Sequence, residues 1–363
     1  MIDRLHLGEM DWVLIGLALL NTAVGLVLIH SATFYAGGGF VWKQSLWVVV
    51  AIVFFVLTFA VDYKFLVETS PYMYGLSLLV LLALLLFGRV TAGARSWVRL
   101  EFMGGQPSEL AKIAVLLILA RLFSQYRAAF LNFSFGGLAV GLAGLPMAVI
   151  AFQPDVGTAF CFIPLVFVAL VLAGLNRKTI VLFLVLGLAG GFLGWQFFLK
   201  DYQKTRLATL VNPSQDPRGA GYHVLQSKIA IGSGGVDGKG FMKGTQSQLR
   251  FLPARHTDFI FAVLGEEFGF VGVFFVLLLY FFFLARMFQS VGRSPDRAGS
   301  YITFMAACLL SFQFLVNVLM IIGLLPVTGI PIPLLSYGGS SLLSTYIAVG
   351  LIVNIQMRRF AYV

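Results

Sequence analysis

Runs of about twenty predominantly apolar residues recur along the chain, beginning near Trp12 and ending near Met357. No other feature constrains the fold as tightly. Each run matches the length a helix needs to cross about 30 Å of hydrocarbon. In that medium every backbone N–H and C=O must be satisfied within the protein, so the runs are read as helices. The ten-residue alternating segments of an outer-membrane barrel are not seen. Charge supports the same reading, because only 11% of the 363 residues are charged, against about 25% in soluble domains. The sequence therefore predicts an all-α polytopic membrane protein, a single transmembrane domain over 1–363. The first run lacks a small-residue cleavage site and is read as an uncleaved span.

About ten spans are expected, near 12–32, 44–61, 71–88, 108–124, 136–152, 156–174, 179–199, 258–286, 300–323 and 339–357. An even count places both termini on one side, and short cytoplasmic loops collect Lys and Arg. With the termini cytoplasmic, the short inner segments hold Arg4, Lys64, Arg121, Arg127, Arg177, Lys178, Arg286, Arg293, Arg297, Arg358 and Arg359. The short outer segments hold only Lys43, Arg89, Arg95, Arg99 and Lys112. That asymmetry accounts for much of the net charge of +10, which in a soluble chain would suggest nucleic acid; no nucleic-acid partner is expected here. Residues 200–257 then form one long extracytoplasmic loop between spans seven and eight. A loop of that length is usually functional or disordered. Within it, Tyr222 to Ile231 mixes apolar and polar residues at helical spacing, as a short amphipathic surface helix would. No internal repeat of the kind that builds many transporters is found.

Ionisable groups inside spans cost about 2.5–3.5 kcal/mol each, so each needs a reason. In Gln106-Pro107-Ser108-Glu109-Leu110-Ala111-Lys112, Pro107 suits the first helical position and Glu109 the positive helix end. Glu109 and Lys112 share a face. They read either as a structural ion pair or, with Arg95, Trp97 and Arg99 just upstream, as part of a basic site for phosphate or pyrophosphate. Asp155, in Gln153-Pro154-Asp155-Val156-Gly157-Thr158, is a natural N-cap or an anion facing a polar site. Asp258 lies where the basic loop re-enters the membrane, beside Arg255 and His256. It reads as a cap or as a general base acting on a sugar hydroxyl. Glu266 and Glu267 are adjacent on a helix, so their side chains point about 100° apart and cannot form a facing dyad.

Two signals are dismissed. The glycine-rich stretch from Ile231 to Gly240 lacks the Walker spacing, and the four histidines show no metal-ligand spacing with Cys or carboxylates. Cys161 and Cys308 lie in apolar runs and read as packing residues. Pro326 to Ser341 is too rich in Pro and Gly for a continuous helix. Non-helical backbone at membrane depth survives only when buried in protein or lining a wet cavity, so an outer re-entrant segment is expected, with Ser340 opening the last span.

In this order, Gly93-Ala94-Arg95-Ser96-Trp97, Gln106-Pro107-Ser108-Glu109, Gln153-Pro154-Asp155-Val156-Gly157-Thr158, His256-Thr257-Asp258-Phe259-Ile260-Phe261 and Pro333-Leu334-Leu335-Ser336-Tyr337-Gly338-Gly339-Ser340 closely resemble the SEDS family (shape, elongation, division and sporulation), most nearly its rod-shape branch. The resemblance implies a peptidoglycan glycosyltransferase polymerising lipid II at the outer face of the bacterial cytoplasmic membrane. It also implies a class B penicillin-binding protein as transpeptidase partner. Asp258 matches the family's catalytic aspartate. Trp97, Glu109, Lys112 and Asp155 match other functional positions, and Arg95, Arg99, Arg255, His256 and Ser340 are expected to help bind the substrates, lipid II and a polyprenyl-pyrophosphate-linked glycan. No metal ligand is assigned, although a divalent cation such as Mg or Mn would suit the chemistry. Two rival readings are a flippase for the same precursor, which needs a polar path across the bilayer, and a non-catalytic scaffold.

Overall fold

In the computed structural model, residues 10–34, 39–88, 98–99, 104–126, 133–172 and 219–359 are described, with isolated positions 8, 174, 181, 185, 209 and 216. They form helices α1 (Trp12–Thr33), α2 (Gly39–Ala60), α3 (Tyr63–Phe87), α4 (Pro107–Gln125), α5 (Phe133–Phe152), α6 (Val156–Phe160), α7 (Phe162–Leu172), α8 (Ala220–Gly234), α9 (Thr245–Gln248), α10 (Ile260–Val291), α11 (Arg297–Ile321) and α12 (Gly339–Met357). A two-stranded antiparallel hairpin, β1 (Val98–Arg99) with β2 (Gly104–Gly105), precedes α4. Seven of the helices are long and apolar enough to cross a membrane. The fourth expected span is α4, whose Glu109, Lys112 and Arg121 set it apart from those seven. The seventh, 179–199, falls outside the described residues apart from positions 181 and 185.

The last helix is the axis of the bundle. In α12, 89% of the apolar window is buried, against 11% in α3; helices such as α2 and α3 present Trp42, Leu79 and Phe87 outward, as lipid-facing helices do. Buried Asn354 near the end of α12 donates to the carbonyls of Thr58 and Val61, closing the end of α2. At the same end of the molecule Asp11 caps α1 through the Leu14 amide and pairs with Arg286 of α10 at 2.8 Å. Asp296 there caps α11 and accepts from the Tyr63 hydroxyl. Pro71 inside α3 lacks an N–H; the Val67 carbonyl it would have engaged accepts from Ser70 Oγ at 2.6 Å.

Two expected spans require correction. The sixth is divided by a turn at Cys161 into α6 and α7. The eighth, expected to run unbroken from 258 to 286, starts at Ile260 and is interrupted at Gly269, where φ is 61° and ψ −160°. The cause is the glycine-rich stretch after α8. The amides of Phe270 and Val271 donate to the carbonyls of Gly235 and Val236, and the amides of Lys239 and Gly240 donate to Glu266 and Glu267. A side chain at Gly269 would begin 2.4 Å from the Gly238 nitrogen and the Val236 oxygen, so backbone meets backbone.

The expected helix around Tyr222 to Ile231 is α8. Its Ser227 hydroxyl donates to the Ile321 carbonyl at the end of α11, which ties the helix onto the bundle. Residues 322–338 are non-helical, as the Pro/Gly content demands, and Ile330, Ile332, Leu334 and Leu335 are buried. Their backbone is satisfied from within the protein. Tyr280 reaches the Pro333 carbonyl, Asn317 the Ile330 carbonyl, and Ser336 Oγ accepts from the Ile332 amide.

Candidate active site

At the end of the bundle opposite Asp11 and Asn354, three helix N-termini converge. Gln106, the residue before α4, donates from its amide nitrogen to Ser340 Oγ of α12 at 2.8 Å. Its side-chain amide donates to Asp155 Oδ2 at 2.7 Å and to Thr158 Oγ1 at 3.3 Å. Asp155 caps α6 as expected, its Oδ1 accepting from the Thr158 amide. One turn into α4, Lys112 donates to Glu109 Oε1 at 2.7 Å, and Ser344 of α12 donates to Glu109 Oε2 at 2.7 Å. Both members of the pair are almost completely buried. Breaking such a pair costs about 3–5 kcal/mol, because one charge is left uncompensated.

The non-helical stretch 322–338 links this cluster to Asp258. Gly157 allows the Thr328 carbonyl to approach so closely that a side chain there would begin 2.1 Å from it. The next residue in that stretch, Gly329, lies against Asp258: a side chain on Gly329 would begin 3.8 Å from Asp258 Oδ2. Asp258 is half-buried and sits two residues before α10. Its main-chain carbonyl accepts from Asn317 Nδ2 at 2.9 Å, and the neighbouring His256 carbonyl accepts from the Tyr337 amide. The carboxylate therefore rides on a turn clamped between α11 and the non-helical stretch 322–338.

The other expected site residues divide into three groups. Glu109, Lys112, Asp155 and Ser340 are brought into one cluster by Gln106. His256 packs its ring on Phe40 and Tyr337, with centroids 4.5 and 5.6 Å away. Burial, followed by the adjacent Arg255 guanidinium, holds the His256 imidazole below its ordinary value, so it is neutral at pH 7. Arg255 is buried and its guanidinium is taken up by main-chain carbonyls: Nε donates to Ala32 at 2.6 Å and Nη1 to Ser247. Arg95 and Trp97 lie outside the described residues. Of Arg99 only the backbone is described, paired with Gly104. Glu266 and Glu267 point to different partners, as adjacent helical residues must. Glu266 pairs with Lys239 at 2.8 Å, and Glu267 accepts from Ser31 Oγ.

Sequence reasoning passed over Gln106, Thr158, Asn317 and Ser344 as site residues. Ser344 carried one usable signal, since it lies four residues after Ser340 on the same face of α12. Gln106 lies beside Pro107, but nothing local indicates that it reaches α6.

These elements define a polytopic helical membrane protein with a buried, charged polar site at one end, where helix N-termini and the non-helical stretch 322–338 meet. The chain belongs to the cell cycle protein family of FtsW, RodA and SpoVE, whose profile matches residues 11–360. Among its relatives is the peptidoglycan glycosyltransferase MrdB of Escherichia coli K12, 42% identical over 290 residues, covering 80% of this chain and 78% of the relative. Another is the peptidoglycan glycosyltransferase RodA of Treponema pallidum, 33% identical over 97% of this chain and 98% of the relative. Among solved structures, a chain from work on coordination of polymerization and crosslinking by a peptidoglycan synthase complex superposes with a TM-score of 0.85. It is 32% identical, covering 97% of this chain and 98% of that chain. The rod shape determining protein RodA of Thermus thermophilus superposes with a TM-score of 0.73 at 30% identity, with the same coverage.

Proposed function

We infer that this chain is a peptidoglycan glycosyltransferase that polymerises lipid II into glycan strands, with Asp258 as the general base. One observation carries the assignment of the base. Asp258 is a half-buried carboxylate on a turn held from both sides, against a re-entrant stretch that connects it to a buried ammonium-containing cluster. The 4-hydroxyl of the incoming lipid II gives its proton to Asp258 as its oxygen attacks the anomeric carbon of the growing strand. The bond from that carbon to the polyprenyl pyrophosphate breaks, and the electron pair leaves with the pyrophosphate. One displacement converts an α-linked donor into a β-linked product. Pyrophosphate is a good leaving group, so the second carboxylic acid of most glycoside hydrolases is not needed.

The charge growing on the leaving group must be met by cations. Lys112 is the fitting side chain: Glu109 is its one hydrogen-bond partner among the described residues, and an ammonium has three donors. Among the described residues no three His, Cys, Asp or Glu side chains cluster as metal ligands. A Mg or Mn ion would draw on Asp155 or Asp258 together with substrate phosphate oxygens, and no step above depends on it. Glu266 and Glu267, the carboxylates a transport path would use, are engaged by Lys239 and Ser31. That weakens the flippase reading.

The site end of the bundle faces outward from the bacterial cytoplasmic membrane in this reading, with Asp11, Arg286, Arg293 and Arg358 at the cytoplasmic end, in accord with the positive-inside tendency. A class B penicillin-binding protein is the expected crosslinking partner. The test uses purified full chain, lipid II and the partner in detergent. Asp258→Ala should abolish strand formation, a fall of at least about a hundredfold, while running as a monodisperse peak like wild type. Full-rate polymerisation by folded Asp258→Ala would end the assignment.

A further inference from the structure

Asp258 follows a turn in which Ala254, a residue with a Cβ, adopts a left-handed conformation with φ 47°. The amides of Thr257 and Phe259 and the Thr257 hydroxyl all converge on the Ala254 carbonyl. Such a backbone costs of order 1–3 kcal/mol and persists only where its surroundings over-determine it. Asn317 and Tyr337 hold the turn on one side. On the other, Arg255 bridges the Ala32 carbonyl at the end of α1 and the Ser247 carbonyl in α9.

What fixes α9 is Glu266. This fully buried carboxylate accepts from the amides of Gln246 at 2.8 Å and Ser247 at 3.1 Å, from Thr245 Oγ1 at 3.1 Å and from Lys239 Nζ at 2.8 Å. A four-residue helix cannot hold itself together. Its place depends on the carboxylate that gathers its first amides. A continuous path of hydrogen bonds thus runs from Glu266 through Ser247 and Arg255 to the turn that carries Asp258.

We propose that Glu266 and Arg255 are positioning residues, acting through α9 to set the Asp258 carboxylate at the angle proton abstraction requires. The proposal rests on Asp258 being the base, and the two can fail separately. Lipid II polymerisation by the full chain with its partner is measured for wild type, E266A, E266Q, R255K and D258A, each normalised to monodisperse protein. E266A is expected to lower kcat roughly ten- to a hundredfold, the scale of an ångström-level misplacement, with KM within about twofold of wild type. The acidic limb of its pH–rate profile should move, because the carboxyl of Asp258 would sit in altered surroundings. E266Q should recover part of kcat, since one oxygen can still accept from α9. A residue that serves folding alone would reduce the yield of monodisperse protein and leave kcat, KM and the acidic limb of the survivors unchanged; that result overturns the proposal. Should E266A not accumulate, R255K carries the same test, because its ammonium cannot span both carbonyls in the guanidinium's fork geometry. Wild-type kcat and acidic limb in R255K would then overturn the proposal. An inactive D258A beside a fully active E266A removes the positioning role and leaves the base in place. A fully active D258A removes both.

Discussion

Two buried acidic clusters sit near the same end of this molecule, and they are satisfied to different degrees. Around Glu266 four donors converge on one carboxylate, two of them backbone amides, and Lys239 remains partly exposed. Around Glu109 the balance is reversed. The carboxylate has Lys112 and Ser344, while the ammonium, fully enclosed, has Glu109 as its one hydrogen-bond partner among the described residues. A saturated carboxylate has little left to offer a ligand and suits a structural duty. An ammonium with unused donors in a low-dielectric setting is the group that the proposed function assigns to the anionic oxygens of the leaving group. Both carboxylates are buried, and the two clusters differ in how many of their hydrogen-bonding valences are met.

The sharpest way to break this contrast is at Lys112. Lys112→Met leaves Glu109 buried beside an apolar chain and should cost about 3–5 kcal/mol of stability and essentially all polymerisation. Adding Glu109→Gln removes the orphaned charge, so the thermal midpoint in detergent should recover while activity stays absent. Recovery of activity in the double variant would show that the pair is structural and that the contrast is misdrawn.

At the other cluster the largest effect should come from Gly269→Ala. A methyl there would meet the backbone of Val236 and Gly238 at a positive φ, and a loss of roughly 3 kcal/mol is expected. The thermal midpoint of the full chain reads it directly. A wild-type midpoint would mean that the exchange of hydrogen bonds between α10 and the glycine-rich stretch is dispensable.

The smallest effect concerns His256. Its proton affinity is depressed in the fold by burial and by Arg255, so the unfolded chain binds the proton more readily. Stability from this group is present above the ordinary histidine value of about 6.5 and is lost as pH falls below it towards the lower folded value. His256→Gln, which cannot titrate, should flatten the decline of the thermal midpoint between neutral pH and about pH 5.5 by less than about 1 kcal/mol. An unchanged slope would place the imidazole in more water than its contacts with Phe40 and Tyr337 suggest.

Much of this is legible in the sequence, for reasons that are themselves physical. Hydrocarbon forces backbone satisfaction within each span, so α1, α4 and α12 fall within a residue or two of their apolar runs. Proline and glycine density marks the non-helical stretch before α12, and the 100° step between successive helical residues is enough to send Glu266 and Glu267 to different partners. What stays hidden depends on distant partners. Arg255 reads as a substrate-binding residue until the carbonyls of Ala32 and Ser247 are found beside it. Gln106 reads as a helix flank until Asp155 and Ser340 approach from positions 49 and 234 residues along the chain. The interruption at Gly269 is hidden because its cause, the stretch after α8, looks like a failed nucleotide loop.

That interruption couples the folding of two segments. The first amides beyond Gly269, those of Phe270 and Val271, find acceptors in Gly235 and Val236. Helix α10 therefore cannot complete its own hydrogen-bond ladder alone; its second half depends on the backbone of the stretch after α8 being folded against it. Formation of this helix and folding of the stretch after α8 form one cooperative event, and amide exchange at Lys239, Gly240, Phe270 and Val271 should rise and fall together.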